Sequence, residues 1–294
     1  MPQFLLRNFA DAKEKLSVHR IAGDNNFTGV VLKIGQITDG HTLYGKHFGS
    51  EGRNRVKLES AMSALEGEAA AVIKDLMEPK ATELTEEQKQ VLCWLIGLQI
   101  RRNRFSLGYI AHQIRKEGIG DLSDEEFQTG LLISAVSTYL DAWSNRNNPQ
   151  VRPKERWNPF AGALHQFRWD IVRYREPSLV VSDVFAAQSG VRQELRKDFK
   201  PIDQRWAKHG FNVSLETCER VTIPLSPLMG LHLHRSEERK RLKADDFNRY
   251  TVYSSRDFVA HQIDFEISQA RLYKLTTEHL WTQRFLRTAM PASF

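Results

Sequence analysis

Residues 53–105 constrain the fold most, because two amphipathic helical patterns stand there on either side of one acidic turn. In the first, Leu58, Met62, Leu65, Ala69, Val72 and Leu76 recur at helical spacing and make one apolar stripe. Glu59 and Glu66, seven residues apart, ride along one edge of it. The second pattern starts at Thr85, with Gln88 three residues later as a capping-box partner, and its stripe runs Leu92, Leu95, Ile96, Gln99 and Asn103. A buried amide at Gln99 needs a hydrogen-bond partner, since leaving one unmade costs roughly 1–3 kcal/mol. Such a pair must bury two helical faces and satisfy a polar group inside them.

The flanking segments extend this helical core. After glycines at 118 and 120, Ser123 with Glu126 opens a further helix carrying Phe127, Leu131, Val136, Tyr139, Leu140 and Trp143. Residues 53–145 are therefore expected as a helical subdomain. Upstream, Leu16, Val18 and Ile21 face Phe27 and Val30–Leu32 across Gly23-Asp24-Asn25-Asn26, which predicts a hairpin. Five glycines in residues 35–52 predict a surface loop, and the two histidines in it, His41 and His47, are read as solvated. Pro149, Pro153 and Pro159 mark a connector. Beyond it the pattern predicts a helix over 160–173, a strand over 178–183 and a polar helical stretch over 191–210, broken near Pro201. A strand follows over 220–227, with Pro224 suggesting an edge or a strand end. Gly230–His234 is expected to pair with it antiparallel, and the charged tail 236–288 is expected to be helical. The fold class is α+β, mainly a helical bundle packed on a small antiparallel sheet. It is expected as one domain, 1–294, whose mixed strand and helix part covers about 160–290.

Composition narrows the setting. No run of about 18 apolar residues occurs, so no membrane span is expected. The amino terminus lacks the pattern of a signal peptide. The chain has two cysteines, Cys93 and Cys218, too few for a disulfide framework or a thiolate zinc set, and a cytoplasmic location is expected. A net charge of +6 tilts the chain toward anionic partners, nucleic acid or a nucleotide first. The near balance of 42 basic and 36 acidic residues also fits a protein that is merely basic.

Several short motifs together resemble a widespread bacterial family of uncharacterised proteins. They are Pro2-Gln3-Phe4-Leu5-Leu6-Arg7-Asn8-Phe9, then Glu59 with Glu66, then Gln99 to Arg102. Ser182-Asp183 at a strand end, Pro224-Leu225-Ser226-Pro227 and Asn248 complete the set. The resemblance spans nearly the whole chain. Two departures stand out: Met1 precedes the Pro-Gln where the family has histidine and tyrosine, and Val184-Phe185 follows the Ser-Asp where the family turns at a proline. The resemblance implies no activity.

The residues themselves suggest one polar site. Glu66, Gln99, Arg102 and Asp183 are the candidate catalytic set, with Glu59, Arg101, Arg104, Ser182 and Asn248 as binding residues. Carboxylates there would hold a divalent metal and arginine a phosphate, the requirements of phosphodiester chemistry. A nuclease of the toxin or defence type is one reading. The other is a non-enzymatic binding or regulatory module whose polar cluster is a closed ion-pair and hydrogen-bond network. Arg256 and His261 form an alternative pair, spaced as in helical metal-independent ribonucleases, although a purely structural helix explains the same residues. His232 and His234 share one strand face and suit zinc, but no third ligand stands near them in sequence, so packing or solvent is favoured. Glu238-Arg239-Lys240 sits in a charge run read as a solvated helix face.

Overall fold

The computed structural model describes residues 2–21, 29–38, 52–101, 124–150, 157–210, 213–236, 242–264 and 269–289. Within them, the side chains of 52–57, 124–129, 132, 269–270 and 283–289 are left aside. The fold is α+β, with about 50% helix and 20% strand in two antiparallel sheets.

The elements run α1 (Gln3–Arg7), β1 (Lys15–Arg20), β2 (Val30–Lys33), α2 (Ile34–Thr38), α3 (Gly52–Met77), α4 (Glu86–Arg101) and α5 (Asp124–Ser144). They continue with α6 (Pro159–His165), β3 (Arg168–Arg173), β4 (Val181–Ser182), β5 (Ala187–Val191), a 3-10 turn (Gln193–Asp198) and α7 (Pro201–Ala207). Last come β6 (Cys218–Ser226), β7 (Met229–His234), α8 (Ala244–Ser254), β8 (Phe258–His261) and α9 (Gln269–Ala289). One sheet has the strand order β2-β1-β8-β4 and the other β3-β7-β6-β5.

The helical pair forms as its pattern predicts. Thr85 and Gln88 close a reciprocal capping box, the Gln88 amide N–H donating to Thr85 Oγ1 at 3.2 Å and the Thr85 N–H to Gln88 Oε1 at 3.0 Å. Leu58, Leu65, Ala69, Val72 and Leu76 of α3 are buried with Leu92, Leu95, Ile96 and Leu98 of α4 and Val136, Tyr139, Leu140 and Trp143 of α5. The same core takes in one face of the second sheet: Val221 and Ile223 of β6, Leu231 and Leu233 of β7, with Trp169 and Ile171 of β3 packed against it.

The helices approach closely at Gly97. A Cβ there would lie 2.2 Å from the Tyr139 hydroxyl, which donates to the Trp94 carbonyl at 2.8 Å. Gly97→Ala is therefore expected to destabilise the protein by about 1–3 kcal/mol through overpacking. Gly67→Ala, in α3 with nothing within 4 Å, is expected to stabilise by up to about 1 kcal/mol. Urea midpoints of the two variants check both signs.

The predicted hairpin pairs in register, Leu16 opposite Leu32 and Val18 opposite Val30. Gly230–His234 does pair antiparallel with the strand before it. Two expectations are corrected, on the helix over 160–173 and on the tail. The helix over 160–173 ends at His165, and Arg168–Arg173 is a strand whose alternate residues Trp169 and Ile171 face the core. Strand β6 is internal to its sheet, yet Pro224 stands near its end, at a register irregularity past Thr222 where pairing with β5 has stopped, in keeping with the edge or strand end that a proline suggests. The tail is not continuously helical: Phe258–His261 is a strand between β1 and β4. Helix α8 lies between the sheets, with Phe247 in the core of the first sheet and its ring so close to Gly230 of the second that a Cβ there would meet it at 2.4 Å.

Candidate metal centre

The two faces of the β3-β7-β6 strands differ in kind. Side chains alternate across a strand, so the residues between the core-facing ones share the other face. Register places Asp170, His232 and Thr222 side by side in one row, and Arg168, His234 and Arg220 in the next. Both histidines and Thr222 are buried. Asp170, His232 and His234 each direct a ligand-type atom into one space, all within 4.8 Å of one another, the one such group of three among the described residues.

One of the histidines, His234, is oriented as a metal ligand usually is. His234 Nδ1–H donates to the Ser236 carbonyl at 3.0 Å, and its Nε2 meets Asp170 Oδ2 at 3.0 Å, an ion pair when the ring carries both protons and a pair of ligand atoms when a metal ion replaces the shared proton. A metal ligand commonly fixes its tautomer through such a backbone carbonyl. Two ligands at about 2.0–2.2 Å from one ion stand roughly 3 Å apart when they subtend a right angle. His232 stacks on His234, ring centroids 4.9 Å apart. Neither of its ring nitrogens has a hydrogen-bond partner among the described residues, and both are buried. Burial first, then the neighbouring His234 and Arg220, pull its pKa down to about 4. The ring is neutral at pH 7, with a lone pair available. The hydroxyl of Thr222, opposite it on β6, is also buried without a partner among those residues. Buried polar atoms are rarely left so, and here two adjacent side chains are.

Arg220 closes one side of the row. Its Nη1 donates to the Tyr250 hydroxyl of α8 at 2.5 Å, its Nη2 to Glu219 Oε1 at 2.6 Å, and its guanidinium lies 5.1 Å from the Tyr250 ring centre. The thiols take no part: Cys93 and Cys218 are buried and unpaired, and burial raises both pKa values, Cys218 to about 12.

None of the candidate catalytic and binding residues that the structure describes is among these three ligands. Glu59 and Glu66 are half-buried on α3. Gln99 is buried on α4, and its Nε2 has no partner among the described residues. Arg101 ends α4 with its guanidinium over the Phe160 ring at 4.9 Å. Arg102 and Arg104 lie outside the described residues, as do His41, His47 and Glu238-Arg239-Lys240. Ser182, Asp183 and Asn248 cluster around the β4–β8 junction. Asp183 Oδ1 accepts from the backbone N–H of Arg256 at 3.0 Å and of Phe258 at 3.3 Å, and Ser182 Oγ donates to the Val184 carbonyl at 3.1 Å. Burial raises the Asp183 pKa against the lowering effect of those amides. Asn248 accepts from Val180 N–H at 3.0 Å and donates to the Ser178 carbonyl at 2.7 Å, tying α8 to the irregular segment that leads into β4.

Arg256 and His261 flank β8 at opposite ends, on a strand and the turn before it rather than the expected helix. At about 3.3 Å per residue an extended segment separates such residues well beyond one phosphate. Arg256 Nη1 lies 3.5 Å from His279, whereas His261 Nε2 meets His19 Nε2 at 3.0 Å. His261 Nδ1 donates to the Gln262 carbonyl, so His19 is the donor in that pair. Sequence reading found His232 and His234 but not Asp170, which arrives from a strand read as helix. Its signal was the alternation of Arg168-Trp169-Asp170-Ile171-Val172-Arg173.

No helix among the described residues is long and apolar enough to cross a membrane. No curated protein and no solved structure matches the sequence. The opening, the paired strands and the Pro-Leu-Ser-Pro segment all fall within residues 1–265, which match the family model described as "Protein of unknown function (DUF4238)", and the chain belongs to that family.

Proposed function

We propose that the protein binds a divalent transition metal through Asp170, His232 and His234, and that the metal serves hydrolysis. The observation that carries this reading is His232: a buried neutral imidazole with no partner for either nitrogen among the described residues, beside a carboxylate and an oriented second imidazole. Two nitrogens and one oxygen leave coordination positions open, which suits zinc and also iron(II). A bound divalent ion would polarise a water or an ester oxygen there. Phosphodiester or nucleotide substrates are the class we favour, supported by the net charge of +6 and by Arg220 beside the ligands. A cytoplasmic setting is supported by the two buried, unpaired cysteines.

A second reading is a binding module in which the same metal is structural, and the cover that α8 lays over this face through Phe247 and Tyr250 favours it. Titration with Co²⁺ and Zn²⁺, then incubation with RNA, DNA and nucleotides with and without EDTA, separates the two. The hydrolytic reading expects uptake of about one metal per chain and EDTA-sensitive turnover that disappears in Asp170→Asn. Tight uptake without turnover supports the structural metal, and no uptake in the wild type sinks both.

A further inference from the structure

We propose that the metal centre carries a phosphate subsite built on Arg220, so that the group entering the open coordination position is a phosphate or a phosphate ester. The inference rests on the metal reading above and adds the chemistry of the incoming ligand. Arg220 stands directly opposite His234 and one pleat from Thr222, its side chain on the same sheet face as all three ligands. Two anchors hold its plane. Tyr250 takes one Nη1 proton and lies under the guanidinium, and Glu219 takes one Nη2 proton. The planar fork has five N–H donors. Among the described residues no partner takes the Nε–H or the second proton of each Nη, and the fork's geometry matches phosphate oxygens.

Charge favours the same ligand. A divalent ion with a single carboxylate ligand stays positive. Glu219 does not cancel Arg220, because it also accepts from Arg196 at 2.8 Å. Neutral donors stand close by. Thr222 and Ser189 have buried hydroxyls without partners among the described residues, Thr222 opposite His232 and Ser189 opposite Arg220. A cationic ion, a guanidinium held at two points and the Thr222 and Ser189 hydroxyls share one sheet face, a donor set suited to a tetrahedral oxyanion.

The test uses full-length protein loaded with Co²⁺, whose visible spectrum reports its ligands, titrated with inorganic phosphate and with a nucleoside monophosphate, and with chloride as control. Both phosphates are expected to shift the cobalt spectrum saturably, and chloride is not. Arg220→Met is expected to keep its Co²⁺ affinity within about threefold and to lose roughly 10- to 100-fold in phosphate affinity. Tyr250→Phe removes one anchor and keeps the ring. It is expected to weaken phosphate by a few fold, which keeps the test alive should Arg220→Met fold poorly. Co²⁺ uptake with no response to phosphate overturns the subsite and leaves the metal centre standing. Phosphate binding equal to wild type in both variants also overturns it. Failure of the wild type to take up Co²⁺ overturns the centre and this inference together. Tighter binding of the nucleotide than of free phosphate assigns the ligand to the nucleotide class, and equal binding assigns it to phosphate itself.

Discussion

His232→Leu is expected to make the metal-free protein more stable and the metal-loaded protein less stable than wild type. In the absence of metal, the imidazole keeps two buried nitrogens that no described residue satisfies. Replacing an unsatisfied buried polar group by an apolar one of similar volume is neutral to stabilising, here by about 1–2 kcal/mol. With metal the order reverses. A ligand bound only by the native state at a hundred times its Kd adds about 2.7 kcal/mol. The variant forgoes most of this, since loss of even an outer partner of a metal ligand costs ~10–100-fold in affinity and loss of the ligand itself costs more. Urea titrations of both proteins in EDTA and in excess Zn²⁺ should therefore cross. If the variant is the weaker protein in EDTA and zinc shifts neither curve, His232 is a packing residue and the centre is not one.

The crossing depends on a residue whose importance is only half legible in the sequence. His232 and His234, two apart in a strand-like run, were visible as a face. Asp170 was not, because Phe160 to Arg173 carries enough helical apolar spacing to hide a change of period at Phe167. In the structure α6 stops at His165, and the six residues of β3 alternate between the helical core and the polar row. Only pairing across β3, β7 and β6 puts Asp170, His232 and Thr222 in one line, and register between strands far apart in the chain leaves no local trace. Local signals did better. The capping box at Thr85 and the stripe of α3 are set by contacts within one or two turns, and both stand as read. The pairing of β1 with β2 was legible for the same reason. Strand β8 was lost because Phe258-Val259-Ala260-His261 is too short and too uniformly buried to show a period. Asp183 and Asn248 were noticed as polar residues at a strand end and in a late helix. The structure gives them backbone amides and carbonyls to hold, a use that composition and spacing do not separate from ligand binding.

Acid should weaken the fold steeply from pH 6.5 downward, earlier than carboxylate titration alone would bring. His209 and His279 are buried, and both stack with Tyr253 of α8, His279 from α9; the His209 and Tyr253 ring centres are 3.9 Å apart. Burial is the main cause that lowers their pKa values, to about 4 for His209 and about 3 for His279. Arg256 adds to this, since its Nη1 lies 3.5 Å from His279 Nε2 while that nitrogen donates to the Ser255 carbonyl at 2.8 Å. Glu278 works against the shift of His209, and Arg205 and Lys208 work with it. A histidine unfolded near pKa 6.5 and folded well below it binds its proton first in the unfolded state. The stability it supports is complete above pH 6.5 and drains away as pH falls toward the folded value. Between pH 6.5 and 5 each of the two should forfeit about 2 kcal/mol, a range in which ordinary carboxylates of pKa near 4 contribute little. His209→Phe keeps a ring on Tyr253 and removes one of the buried histidines that titrate in this range, a set that also includes His19, His232 and His261. Relative to wild type, it should recover about 2 kcal/mol of the loss between those pH values, read from urea midpoints at pH 7, 6, 5.5 and 5. An unchanged pH slope in His209→Phe would mean that the ring is protonated at its ordinary pKa inside the fold, and that the stack with Tyr253 opens to water well before the protein unfolds.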